Sequence, residues 1–350
     1  MKNIRYSMLC VLFAALALMS FGACKSDDSP KFPDEPTYDM SGFAKGADVS
    51  WLTEMENSSV LFYDSLGRQK ECMHLLRELG MNTIRLRVWV NPKDGWCNAG
   101  DVLAKAIRAQ NLGFRLLIDF HYSDSWADPS QQTKPAAWDG LSFDSLKIAM
   151  SNHTQAVLEK LKDKNIDVEW VQVGNETRDG MLWEDGRASS SMQNFADLVN
   201  TGYSAVKNVY PSAKVIVHLD NGYDNNLYRW MFDGLTKYKA KYDVIGMSLY
   251  PDSTNWKTYN EKCLANMNDM VSRYGKEVML CEVGFAASDA ANSYKFLTDI
   301  ISKAKSVTDS KCLGVIYWEP QAYNSWKAYK LGAFDDNGKP TIALNAFKNN

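Results

Sequence analysis

Short apolar runs that end in polar or aromatic residues recur along this chain, and each is followed by apolar residues at helical spacing. The runs at 45–51, 82–90, 114–121, 168–174, 214–219, 243–249, 277–283 and 312–318 read as buried strands. Between them, Cys72, Leu75, Leu76 and Leu79 form one helical stripe with Gly80 as its stop. Leu103, Ala106 and Ile107 form another, with Asp101 as its cap. Further helices are predicted over 144–161, 191–209, 225–241, 257–274 and 290–306, with 341–347 as a closing helix. A strand that pairs in parallel with the next needs a long crossover, which a helix supplies. Eight such units predict an α/β chain folded as a (β/α)8 TIM barrel. An open, doubly wound sheet is the alternative, but no GxGxxG follows the first strand and the repeat count favours closure.

The chain has 350 residues, 45% of them hydrophobic, enough to bury one large core. The repeats place that single domain over 41–350. A net charge of −3 with both signs interspersed excludes the basic footprint of a nucleic-acid binder. The 11 Trp and 17 Tyr supply flat apolar faces of the kind on which sugar rings pack, although most aromatic residues in a large fold are core.

The first 23 residues read as a signal segment. Lys2 and Arg5 precede an apolar run over 8–19 that is too short to span a membrane. Phe21-Gly22-Ala23-Cys24 resembles a bacterial lipobox, which implies a lipid on Cys24 as the only membrane attachment. Lys25-Ser26-Asp27-Asp28 resembles the surface-export signal of Bacteroidetes lipoproteins, which implies the outer face of the outer membrane. Pro30, Pro33 and Pro36 make 24–40 an extended tether. Cys72, Cys97, Cys263, Cys281 and Cys312 remain, an odd number without CxxC or Cys/His ligand spacing, so neither a disulfide framework nor a metal site is indicated.

A barrel of this kind keeps its chemistry at the C-terminal ends of its strands. Those ends carry Arg87 and Trp89, His121 and Tyr122, Asn175 and Glu176, Asp220 and Asn221, Tyr250, Glu282, and Trp318 with Glu319. Glu176 ends the fourth strand and Glu282 the seventh, so two carboxyl groups face one cleft from two sides. Retaining glycosidases need such a pair about 5–5.5 Å apart, one as nucleophile and one as acid then base. The acid needs a raised pKa, which an ionised neighbour supplies. Arg87 is expected to keep Glu282 ionised and oriented. Taken singly, either Glu is as readily a salt-bridged surface residue; the pair on a barrel favours catalysis. Glu54, Glu56, Asp119 and Glu319 are further acids near the mouth, read as supporting groups.

Gly174-Asn175-Glu176 with a Glu ending the seventh strand resembles the clan of retaining (β/α)8 glycosidases. More narrowly, the stretches 46–56 (GADVSWLTEME), 83–92 (TIRLRVWVNP), 119–138 (DFHYSDSWADPSQQTKPAAW) and 218–222 (HLDNG), with Tyr317-Trp318-Glu319-Pro320, resemble family 53 of the glycoside hydrolases, the endo-β-1,4-galactanases. The resemblance runs from Gly42 to the C-terminus. It implies an endo-hydrolase that cuts the β-1,4-galactan of type I arabinogalactan with retention. No cofactor is called for, and a tethered hydrolase facing a polymer can work as a monomer. On that pattern Glu176 is acid/base and Glu282 nucleophile, and Asn175 holds the sugar 2-hydroxyl. Arg87, Trp89, His121, Asp220, Tyr250 and Trp318 belong to the substrate-binding set. Some bacterial members hold calcium in a long loop after the seventh strand. Here 284–292 is short, with Ser288 and Asp289 as its oxygen donors, so no calcium is expected there. The alternatives are a retaining endo-glycanase on mannan, xylan or β-glucan, and a surface glycan-binding protein without catalysis.

Overall fold

The computed structural model describes residues 37–350. The signal segment, Cys24 and most of the tether lie outside the described residues, and Tyr38–Asn350 forms one compact unit. Its eight strands are β1 (Ala44–Asp48), β2 (Thr83–Val88), β3 (Arg115–Phe120), β4 (Trp170–Val173), β5 (Lys214–Leu219), β6 (Val244–Leu249), β7 (Glu277–Val283) and β8 (Cys312–Trp318). All pair in parallel in chain order, and β8 returns to β1 to close the barrel. The (β/α)8 expectation holds.

Helices Cys72–Glu78, Ala99–Asn111, Phe143–Lys162, Met192–Val209, Asn225–Lys237, Trp256–Tyr274 and Ala290–Lys305 form the crossovers between strands, and Asn345–Asn349 closes the chain. The second of the predicted helices starts earlier than its Asp101 cap implies. Asn98 is the cap, its side-chain oxygen accepting from the amides of Gly100 and Asp101, because it stands immediately before the first turn, whose N–H groups have no partner within the helix. Asp101 sits inside the first turn and instead pairs with buried Lys105 at 2.6 Å. The segment expected to close the chain begins as a 3-10 turn over Ile342–Leu344 before the α-helix.

Strand periodicity sorts every strand into two faces. Outward residues such as Ile84, Leu86, Ile118, Val171, Val217, Ile245 and Val315 pack under the helices in one large core. Inward residues of the lower barrel, Ala44, Leu117, Trp170, Ile216, Val244, Met279, Cys281 and Ile316, form a second apolar cluster. That interior is tight: a Cβ on Gly46 would sit 2.4 Å from Ile316 Cδ1 and 2.8 Å from the Thr83 carbonyl oxygen. Above this plug the inward positions turn polar and stay buried, with Asp48, Arg85, Asp119, Gln172, His218 and Ser248 all enclosed.

One irregularity matters for the chemistry. Met247 pairs with Leu280, but its neighbour Ser248 pairs with Glu282, so β7 carries one extra residue at Cys281. A bulge re-aims the side chains beyond it. Without the slip Glu282 would share the outward face of Leu249; with it, Glu282 joins Ser248 over the barrel axis.

Candidate active site

Arg85 organises the polar floor. Its Nη1 donates to Asp48 Oδ2 at 2.7 Å, and Nη2 to Asp119 Oδ2 and Asn175 Oδ1, each at 2.9 Å. Nε reaches Gln172 Oε1 at 3.3 Å, and Nη2 lies 2.9 Å from Glu282 Oε1. Only a planar guanidinium presents donors in that many directions at once. The other oxygen of Glu282, Oε2, accepts from the Tyr250 hydroxyl at 2.8 Å. Burial pushes the Glu282 carboxyl up to about 7, against the pull of Arg85 and of the Tyr250 hydrogen bond.

Glu176 sits differently. It follows Gly174 (φ +84°) and itself holds φ +44°, a left-handed conformation that a residue with a side chain rarely adopts. The surrounding structure fixes it there: the Thr177 amide donates to the His218 carbonyl at 2.8 Å, and the Arg178 amide to the Glu176 carbonyl at 2.9 Å. Such strain clusters at functional sites. The Glu176 carboxyl accepts from Ser248 Oγ at 2.6 Å, and Ser248 in turn meets His218 Nε2 at 2.8 Å. Burial first, and the Glu282 charge second, hold Glu176 well above the usual carboxylate range. Of the two acids, the one bonded to a guanidinium ionises first, and the one bonded to a hydroxyl keeps its proton.

Both carboxyls open into one cleft of about 500 Å³, together with Asn175, Tyr250, His121 and Asp128. One wall is aromatic. Trp51 contacts Trp318 edge-on with 5.0 Å between ring centroids, Trp126 stands 5.8 Å from Trp51, and Tyr329 stands 4.8 Å from Trp318. Lys327 closes the rim by pairing with Glu54 at 2.6 Å. An acid, a carboxylate and a flat apolar wall suit an oxocarbenium-like transition state on a sugar ring.

Of the residues singled out from sequence, Glu176, Glu282, Asn175, Tyr250, Trp318 and His121 line this cleft. Asn175 is fixed, its Oδ1 held by Arg85 and one Nδ2 hydrogen given to the Ala127 carbonyl at 2.9 Å. His121 has both ring nitrogens engaged, with Nε2 3.0 Å from Asp119 and Nδ1 accepting from the Ala127 amide at 3.1 Å, so it offers the cleft its ring edge. Trp89 stacks edge-on against Trp126 at 5.1 Å, and Asp220 is paired with Arg178 beyond Glu176.

The expectation for Arg87 is corrected. Arg87 does not hold Glu282; its Nη1 donates to Glu319 at 2.7 Å, and its guanidinium lies beneath the rings of Trp51, Trp89 and Trp126. Being fully enclosed, it does not reach the cleft as a sugar ligand. Arg85, two residues earlier, sits lower in the barrel and meets the acids there. Sequence reasoning missed Arg85, Gln172 and Ser248 and gave His218 no role. The signal was a polar residue at every second place in otherwise apolar strands, as in TIRLRV and VIVHLD.

Asp289 caps the helix Ala290–Lys305, and its two oxygens accept from the Asn292 amide and side chain. Among the described residues no group of three or more His, Cys, Asp or Glu is arranged to hold a metal.

Comparison with known proteins agrees with this geometry. An arabinogalactan endo-β-1,4-galactanase of Humicola insolens is 33% identical over 297 residues, covering 79% of this chain and 89% of that protein. One of two structurally characterised fungal β-1,4-galactanases superposes with a TM-score of 0.81 at 29% identity, over 88% of this chain and 99% of its own. The GH53 catalytic domain of Ignisphaera aggregans gives a TM-score of 0.81 at 30% identity, over 91% and 97%. The sequence model of glycosyl hydrolase family 53 matches residues 44–347, so the chain belongs to that family and is a glycoside hydrolase.

Proposed function

We propose that this hydrolase cleaves β-1,4-galactosidic bonds inside galactan chains, with retention of configuration, by a double displacement. Glu282 attacks the anomeric carbon while Glu176 gives its proton to the departing glycosidic oxygen. Glu176 then takes a proton from water, which attacks the glycosyl-Glu282 ester and frees the nucleophile. The observation that carries this reading is the unequal partnership of the two acids. Arg85 and Tyr250 engage both oxygens of Glu282, while Ser248 alone engages Glu176. The choice of galactan is supported by what the similar enzymes are called.

The test is oligosaccharide release from linear β-1,4-galactan by the mature domain, with Glu176→Gln and Glu282→Gln alongside. Loss of at least about 10³-fold is expected in both. With a small nucleophile such as azide and an activated aryl galactoside, Glu176→Ala should regain turnover and Glu282→Ala should give a product of inverted configuration. Wild-type release from mannan, xylan or glucan instead would move the substrate. Binding of galactan without release would make the chain a binder. We also propose that Cys24 carries the lipid and the tether presents the domain at the cell surface. Cys24→Ala should then free the protein from the membrane fraction, and protease shaving of intact cells should remove the wild type.

A further inference from the structure

The geometry points to Ser248 and His218 as positioning residues that fix where the acid's proton sits: a one-way relay from the Glu176 main chain, through both side chains and back to its carboxyl, makes Oε1 an acceptor and leaves the proton on Oε2. This rests on the reading of Glu176 as the acid.

The direction of the relay is set at Arg85. Its Nε donates to Gln172 Oε1, which turns the Gln172 amide so that Nε2 faces His218 Nδ1 at 2.8 Å. An amide NH2 only donates, so a proton on Nδ1 would set two N–H groups against each other. From the other side the Glu176 main-chain N–H also points at Nδ1, at 3.4 Å. The nearest acceptor, Asn175 Oδ1 at 3.1 Å, already receives Arg85 Nη2 and Gln172 Nε2. Nδ1 therefore keeps its lone pair and the ring proton is on Nε2, donated to Ser248 Oγ at 2.8 Å. The hydroxyl has one hydrogen, and it goes to Glu176 Oε1 at 2.6 Å. Burial and the nearby Arg85 charge hold His218 neutral, so the direction does not reverse by protonation. A carboxyl proton on Oε1 would collide with the serine hydrogen, so it occupies Oε2. The same ring bonds the Glu176 backbone in its left-handed conformation, tying the strained turn to the orientation of its side chain.

Two measurements test this. In the wild-type protein, ¹⁵N NMR of the imidazoles, with His218 assigned by substitution, should show the Nε2–H tautomer and no titration between pH 5 and 9. An Nδ1–H tautomer, or titration near the ordinary value of about 6.5, overturns the relay. Second, Ser248→Ala is compared on linear galactan and on an aryl galactobioside whose leaving group needs no proton. kcat/KM, which reports only the first step, should fall about 10- to 100-fold on galactan and change by less than about 3-fold on the aryl substrate. The alkaline limb should move to higher pH, because the carboxylate loses a donor, and Ser248→Thr should restore both. Equal losses on the two substrates, or an unmoved alkaline limb, overturn the proposal. A wild type inactive on galactan would end the substrate reading instead, and the tautomer measurement, which needs no substrate, would still decide the relay.

Discussion

Arg85 and Arg87 stand two residues apart on one strand, face the same interior and are both fully enclosed, yet they do different work. Arg85 is saturated: every nitrogen of its guanidinium has a polar partner, three of them carboxylates. Arg87 has one acid, Glu319, and its Nε and Nη2 have no hydrogen-bond partner among the described residues. What it has instead is aromatic rings, with its guanidinium carbon 4.4 Å from the Trp126 centroid and 5.2 Å from that of Trp89. The lower arginine arranges charge for the chemistry, and the upper one carries the wall against which a sugar ring would lie. Depth in the barrel, not residue type, decides the role.

Removing Arg85 should give the largest effect. Arg85→Met leaves Asp48, Asp119 and Glu282 buried around no cation, and breaking a buried ion cluster costs about 3–5 kcal/mol. Turnover should fall more than about 10³-fold, since the nucleophile loses both its charge partner and its orientation. Arg85→Lys keeps one charge but not the fork, so it should recover stability more than rate. In Arg85→Met Glu282 loses the charge whose pull offsets its burial. The acid limb of kcat/KM should therefore lie at higher pH than in the wild type. Thermal unfolding and a pH–rate profile read both effects, and an unmoved acid limb would mean that Arg85 is structural only.

Arg87→Met should separate the two roles. It strands Glu319, at a cost of about 2–4 kcal/mol, while the acid limb stays in place because Glu282 keeps Arg85. KM for long galactan should rise about 3- to 10-fold as the tryptophans loosen, with kcat changing less. Adding Glu319→Gln should return much of the stability, because the stranded charge is then gone. A shifted acid limb in Arg87→Met would break the comparison, since the upper arginine would then also reach the nucleophile.

The contrast also explains which parts of the molecule were legible in sequence. The barrel was, because eight apolar strands and their helical stripes repeat in order and each level of pattern agrees with the next. Glu176, Asn175 and Tyr250 were legible because they stand where a strand ends. The floor was not, because Asp48, Arg85, Gln172, His218 and Ser248 lie inside strands, where a single polar residue gives no sign of its partner across the barrel. Arg87 was assigned to Glu282 because it is nearer the strand end, and a one-dimensional reading cannot see that β7 slips by a residue and brings Glu282 down to Arg85. The tryptophan wall was read only in part, since Trp51 and Trp126 come from loops whose course the strand pattern does not fix.

The smallest expected effect concerns Glu319, the acid of the upper pair. Burial and the Asp48 charge outweigh Arg87 and push Glu319 up to about 7. A carboxyl raised above its unfolded value stabilises the fold when protonated, below about pH 4.5, and that contribution is lost as pH rises through about 7. Wild-type stability should therefore fall across this window, with Glu319 responsible for on the order of 1–3 kcal/mol of the fall. Glu319→Gln removes that share, so its stability should decline less between pH 5 and pH 8. Denaturant titrations at the two pH values measure the difference. Glu282→Gln should flatten the same window, because Glu282 is raised too, but it also abolishes turnover, whereas Glu319→Gln should leave the pH limbs of turnover where they were. If Glu319→Gln declined as steeply as wild type, Arg87 would hold Glu319 ionised as firmly as Arg85 holds Asp119, and the difference between the two arginines would lie in their aromatic contacts alone.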